Sequence, residues 1–313
     1  MLSTLAILYP VFAVIAIGFL LGRSGYFQPT FWTELNRLLF YVCLPALILD
    51  SIIRAPQLPS GTWPLILALT LTTLLTISAG FAGARLRGLQ RWQYGTFIQG
   101  AFRGNLAFVG IPVIQLSFHG QQLSGAEGAV AQAIFVFAPA MIVYNLAAVL
   151  LLAGSHQGSA PLTTRSLLWE LMKNPLILAS IAALLIRGLS TASVPQWTAP
   201  LGLVGQIAAP TALLSVGASM AFVSLGGRYK SALLSALLKV VLTPLFAIGI
   251  ASLVGIQGEA LLVLLILSGC PTAAAANVMV KQFKGDEPLS SGTILISTLL
   301  AIPTLAIIIS YAS

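Results

Sequence analysis

The chain has 313 residues, 58% of them hydrophobic and only 7% charged, with a formal net charge of +8. A soluble domain is about 25% charged, so this composition excludes a soluble enzyme, a secreted disulfide scaffold and a disordered protein, and requires a bilayer. A nucleic-acid-binding role would need a basic patch on an aqueous face, whereas here Lys and Arg sit mostly at the ends of apolar runs.

Runs long enough for a spanning helix, about 20 apolar residues, predict ten spans near 3–22, 36–53, 61–84, 93–118, 126–153, 167–187, 198–224, 230–252, 257–280 and 288–311. The first lacks a basic n-region and a small-residue cleavage site, so it reads as a retained helix and not a signal peptide. The second holds Asp50, the one acid well inside an apolar run, spaced i,i+4 from Arg54 as for an interfacial ion pair. The third carries Thr70, Thr72, Thr73, Thr76 and Ser78 but no charge. Arg103 lies about 15 Å into the fourth span, at 1.5 Å per residue, and Lys239 lies two to three turns into the eighth. Each is a functional candidate because burying a charge is costly; Arg103 has the alternative of a structural bond to a backbone carbonyl or a helix C-terminal end, and Lys239, nearer its span end, is open to a functional or a structural role. Gln115, Asn145, Gln206, Ser215, Ser219 and Ser297 read mostly as interhelical hydrogen-bond partners. Cys43 and Cys270 read as small core residues. His119 and His156 fall in loops with no companion at ligand spacing, so no metal site and no cofactor is expected.

Loops that follow odd-numbered spans, with the adjoining span ends, hold eleven of the fifteen basic residues; the other side holds Arg54 and Arg187. By the positive-inside rule the odd loops are cytoplasmic and both termini are outside.

Prolines recur at a near-constant offset. Pro10 matches Pro175 and Pro45 matches Pro210, both 165 residues apart; Pro112 matches Pro271 at 159 and Pro139 matches Pro303 at 164. Pro64 and Pro244, 180 apart, do not fit. Four matched helix pairs predict two five-helix repeats, residues 1–153 and 154–313. An odd helix count inverts the second repeat, as in many secondary transporters. The fold expected is an all-α polytopic membrane protein with ten transmembrane helices.

In such folds the substrate meets discontinuous helices near the midplane. The fourth span reads Arg103-Gly104-Asn105 through Gly110-Ile111-Pro112, and the ninth reads Gly269-Cys270-Pro271-Thr272 through Asn277. Both combine Gly, Pro and a lone Asn, so helices are expected to open there. The alternative is a pair of proline kinks with Asn tying neighbouring helices together. The excess of buried cation over buried anion points to an anionic substrate.

At these segments, and at Leu289-Ser290-Ser291-Gly292-Thr293 through Ala301-Ile302-Pro303, the chain resembles the auxin efflux carrier family, whose bacterial members include malonate- and malate-type permeases. The resemblance runs the whole chain. It implies the bile-acid-symporter-like fold, with helices 1, 2, 6 and 7 as a scaffold and helices 3–5 and 8–10 as a transport unit moving as an elevator. It implies broken helices 4 and 9 crossing at the substrate, Asn105 and Pro271 at the crossing, and a homodimer through the scaffold. The plant carriers' long cytoplasmic segment between helices five and six is short here, and their charges around the third span are missing, which points away from auxin toward a small organic acid.

The expected function is therefore secondary transport of mono- or dicarboxylates across the inner membrane. The site would comprise Asn105, Gly110, Ile111, Pro112, Gly269, Cys270, Pro271, Thr272 and Asn277, with Arg103 as counter-charge. One rival is a sodium-coupled bile-acid-type symporter, though no acid adjoins Pro112 or Pro271. An intramembrane enzyme is another, against which no H-E-x-x-H or G-x-S-x-G motif occurs. A channel fits the repeat less well than alternating access does.

Overall fold

A computed structural model describes residues 2–54, 61–120, 126–155, 175–189, 198–223 and 226–312. These form twelve helices: α1 (Leu2–Ser24), α2 (Pro29–Arg54), α3 (Thr62–Leu86), α4 (Arg91–Phe102), α5 (Ile111–Gly120), α6 (Ala126–Ser155), α7 (Pro175–Leu189), α8 (Ala199–Met220), α9 (Tyr229–Val254), α10 (Gly258–Gly269), α11 (Ala275–Gln282) and α12 (Glu287–Ala312). Among the described residues, six helices (α2, α3, α6, α8, α9 and α12) are long and apolar enough to cross a bilayer, and α1, α5, α7 and α10 contribute shorter apolar stretches. The chain is an all-helical polytopic membrane protein. α2 starts earlier than hydropathy predicts, because Pro29 is pre-organised for a helix start and the exposed ion pair Glu34–Arg37 lies within its first turns. His119, expected in a loop, lies in the last turn of α5; residues 167–174 of the sixth expected span and His156 lie outside the described residues.

Leu20, Leu67, Leu253 and Ile307 are exposed on the outer faces of their helices, as lipid-facing residues are, and Tyr26, Trp63 and Tyr311 are exposed at helix ends where an aromatic belt sits. Three π-turns interrupt the α-helical register, at Leu39–Cys43, Leu106–Gly110 and Leu238–Leu242. Each is followed two residues later by a proline: Pro45, Pro112 and Pro244. Proline has no N–H and its ring clashes with the carbonyl four residues back. Widening the preceding turn relieves both problems while keeping the backbone hydrogen-bonded.

Two packing patterns organise the bundle. α1 lies along α8, and α2 packs against α7 and α8. Separately, α4 packs on α6 and α3, while α9 packs on α12, α3 and α10. The α1–α8 contact is nearly backbone to backbone: Gly18 faces Leu214, Gly22 faces Ala218 and Ala221, and a Cβ on Gly217 would lie 1.9 Å from the Ile15 carbonyl oxygen. Without a hydrophobic drive between helices in lipid, this close approach of small residues holds the pair. Near one end Arg54 bonds Asp50 at 2.6 Å, as the spacing predicted. Arg187 donates to the Ile53 carbonyl at 2.8 Å, joining α7 to the C-terminal turn of α2.

Gly217→Leu is expected to cost at least about 1–3 kcal/mol by overpacking, seen as lost monodisperse protein and a lower unfolding temperature in detergent. Gly249→Leu, where a Cβ meets nothing within 4 Å, should leave both unchanged.

Candidate functional site

α4 is set by a reciprocal cap: the Gln90 side chain takes the N3 amide, and Gln93 Oε1 accepts from the Gln90 amide at 3.1 Å. Twelve residues on, the helix stops at Phe102, and Arg103 is extended at φ −76°, ψ 90°. α10 likewise stops at Gly269, with Cys270 extended before Pro271. The two interruptions pair with each other. Gly104 and Thr272 form an antiparallel bridge, in which Asn105 N–H donates to the Pro271 carbonyl at 2.8 Å and Ala273 N–H to the Arg103 carbonyl at 2.9 Å. All of Arg103 to Leu106 and Cys270 to Ala273 is buried.

Side chains satisfy much of what remains. Thr272 Oγ1 donates to the Gly100 carbonyl at 2.7 Å, and Ser297 Oγ accepts from the Thr272 amide at 2.9 Å. Asn105 Oδ1 accepts from the Phe108 amide at 3.3 Å, capping the π-turn that leads into α5. Lys239, fully buried in the π-turn of α9, donates through Nζ to the Ser268 carbonyl at the end of α10. Its stem runs past Gly104, whose Cβ would lie 3.3 Å from Lys239 Cε. Arg103, 4% exposed, reaches α6, donating to Asn145 Oδ1 at 2.7 Å and to the Tyr144 carbonyl at 3.4 Å.

The helix ends at this crossing are of two kinds. α4 and α10 present C-terminal carbonyls, and Thr272 and Lys239 bond carbonyls there. The turn into α5 and the start of α11 present N-terminal amides without intrahelical acceptors, as every helix start does. These positive ends lie with two buried cations, and none of the seven acidic residues falls within 99–112 or 266–277. Gln99 Oε1 and Asn277 Oδ1 are buried acceptors that meet no donor among the described residues.

A model of the family described as membrane transport protein matches residues 4–309. The chain belongs to this family of membrane transport proteins. An uncharacterized transporter of Methanothermobacter thermautotrophicus is 26% identical over 305 residues, covering 94% of each chain. The family agrees with the resemblance to auxin efflux carriers read from the sequence.

Within this transport protein, Arg103, Asn105, Pro271 and Thr272 meet through the backbone pairing. Gly110 packs against Cys270, with the Sγ 3.1 Å from where a Cβ would be. Ile111 and Pro112 are buried just beyond. Gly269 faces α12 instead, where a Cβ would lie 2.7 Å from Ile308. Asn277 stands on α11 past the crossing, with Ala274 as its backbone acceptor. Sequence reasoning missed the Ser268 carbonyl as the target of Lys239. It also missed a cluster at one bundle end, where buried Asp286 accepts from Gln93 at 2.8 Å, pairs with Arg228 at 3.0 Å and caps the Leu289 amide at 3.1 Å. The Asp286-Glu287-Pro288 start signal was there to read.

Arg103 and Asn145 should couple energetically. A double-mutant cycle of Arg103→Met and Asn145→Leu, read from unfolding in detergent, is expected to give about 0.6–1.7 kcal/mol, between the average and the largest coupling of hydrogen bonds between membrane helices.

Proposed function

We propose that this membrane transport protein is a secondary transporter of elevator type that carries small organic anions, mono- or dicarboxylates, across the cytoplasmic membrane. Both termini lie outside. Its ten spans form two inverted repeats, residues 1–153 and 154–313, with α4–α5 and α10–α11 as the broken fourth and ninth spans. α1, α2, α7 and α8 make the scaffold, through which two copies pair. α3–α6 and α9–α12 make the moving unit.

The observation that carries the proposal is the bridge of Gly104 with Thr272, at which positive helix ends and two buried cations lie together without an acid. A carboxylate would bind beside Asn105 and Thr272, held by the amides of Leu106 and Ala107 at the turn into α5 and of Ala274 and Ala275 at the start of α11, and by the potential of Arg103 and Lys239. Gln99 and Asn277 oxygens would take a ligand hydroxyl. A second observation supports a moving unit. The bonds Arg103–Asn145, Thr272–Gly100, Thr272–Ser297, Ser235–Phe97, Gln93–Asp286 and Thr76–Thr243 each join two members of α3–α6 and α9–α12. Ser215–Asn36 and Arg187–Ile53 join members of the scaffold.

In proteoliposomes, Asn105→Ala is expected to reduce carboxylate uptake about tenfold or more, as for losing a hydrogen bond to a charged group, while the lost bond to the Phe108 amide lowers stability by about 0.5–2 kcal/mol and leaves the protein folded and monodisperse. Unaltered uptake would remove Asn105 from the site. A thermal-shift screen should find stabilisation by carboxylates; stabilisation by neutral or cationic solutes alone would overturn the anion assignment. Uptake that requires sodium would favour the bile-acid-type symporter instead.

A further inference from the structure

One bundle end carries an open cleft of about 540 Å³ that the transport reading does not use. Its walls are the turn after α3, with Arg87 and Gln90, the Trp92 side of α4, and the start of α9, with Gly227, Arg228 and Lys230. Three cations and no acid line it. Arg228 is held in place: its Nε pairs with Asp286, which is 3% exposed and itself fixed by Gln93, and its guanidinium lies 5.9 Å from the Trp92 ring centre. Arg87 and Lys230 are exposed and form no ion pair with any described residue.

The backbone adds to this charge. Gly226 and Gly227 turn the chain into α9 at φ +46° and +75°, a left-handed conformation that glycine adopts without penalty. α4, across the cleft, satisfies its first amides with the Gln90–Gln93 box, whereas α9 begins with no side-chain cap. Its first amides remain for an external acceptor. A glycine turn entering a helix start, flanked by two Arg and one Lys, suits a tetrahedral anion with several oxygens better than a planar carboxylate. Trp92 and Tyr229 at the rim are residues of the membrane interface, where phosphate groups are concentrated.

We infer that this cleft binds a phosphate group, either the headgroup of an anionic phospholipid or a soluble phosphate, and that the bound group ties the α3–α4 turn to the start of α9. The inference does not depend on the transported solute or on which side of the membrane this end faces.

The test uses the full-length purified protein. Affinity for inorganic phosphate is measured by calorimetry in detergent, and retention of phosphatidylglycerol against phosphatidylcholine by native mass spectrometry. The R87Q/K230Q variant should bind one or both anionic probes about thirtyfold more weakly than wild type, and each single variant about fivefold more weakly. The charge-matched control R23Q/K281Q should bind as wild type does. Unliganded unfolding temperatures should agree throughout, since all four residues are exposed. Loss of lipid retention alone names the headgroup as occupant, and loss of phosphate affinity alone names a soluble phosphate. Absence of binding for both probes, equal binding by R87Q/K230Q and wild type, or equal loss in the control would overturn the site.

Discussion

Inside hydrocarbon an unpaired peptide N–H or C=O costs several kcal/mol, because no water is present to take its place. A membrane chain that interrupts two helices at depth must therefore supply internal partners for every group it frees. Here the interruptions meet those needs partly from each other. The backbones at Arg103–Asn105 and Pro271–Ala273 exchange two hydrogen bonds, and Thr272, Ser297, Asn105 and Lys239 take up neighbouring groups. Removing one interruption would leave the other unsatisfied, so the two breaks are a single structural feature. The same logic explains the π-turns of α2 and α9, each of which lets a proline sit inside a long helix while the turn before it stays bonded; the third opens the helix that follows the break and carries Pro112.

Charge at the crossing follows from this accounting. A helix that stops within the membrane exposes carbonyls, and a buried lysine or arginine is one of the few donors able to reach across to a neighbouring helix. Lys239 bonds the Ser268 carbonyl, and Arg103 spans to α6. Each cation therefore has a structural occupation and also raises the local positive potential, so the two readings weighed for Arg103 from sequence are not exclusive. With no acid in either broken segment, the chain supplies no neutralising partner there. The anion proposed as substrate would thus meet an arrangement that first answers a backbone problem.

Much of this was legible beforehand, for identifiable reasons. Proline and glycine act on the backbone directly, so Gly269 and Pro271 marked the break after α10, whereas the other break falls at Arg103–Asn105, about two turns before Pro112, which sits inside the helix that follows. The Asp50–Arg54 pair follows from one helical turn, and Asn145 could be read as a partner although its donor could not. What escaped the sequence depends on which helices meet. Gly217 is one of 28 glycines, and only the course of α1 makes it a position where a Cβ would lie 1.9 Å from a carbonyl oxygen. Asp286 joins Gln93 and Arg228, residues 193 and 58 positions away, through a geometry that no local spacing encodes. Lys239 gave a charge at depth, but its acceptor is a carbonyl, and carbonyls carry no signature.

The distribution of polar bonds bears on how such a site could be exposed alternately to two sides. Breaking a hydrogen bond in hydrocarbon is expensive, so a sliding surface should contain few of them. The crossing is tied to α4, α6, α9 and α12 by hydrogen bonds. Its contact with the other helix group includes α8 against the Leu106–Gly110 turn and α1 against α5 and α12. Phe12, Phe19 and Val14 on α1 belong to that shared apolar core. Dispersion contacts of this kind are individually weak and can be exchanged for similar contacts one step along. In the transport reading proposed above, a unit tied by the hydrogen bonds named here and flanked by apolar contacts would shift as a body without opening its own core, and the paired break at Gly104 and Thr272 would travel with it.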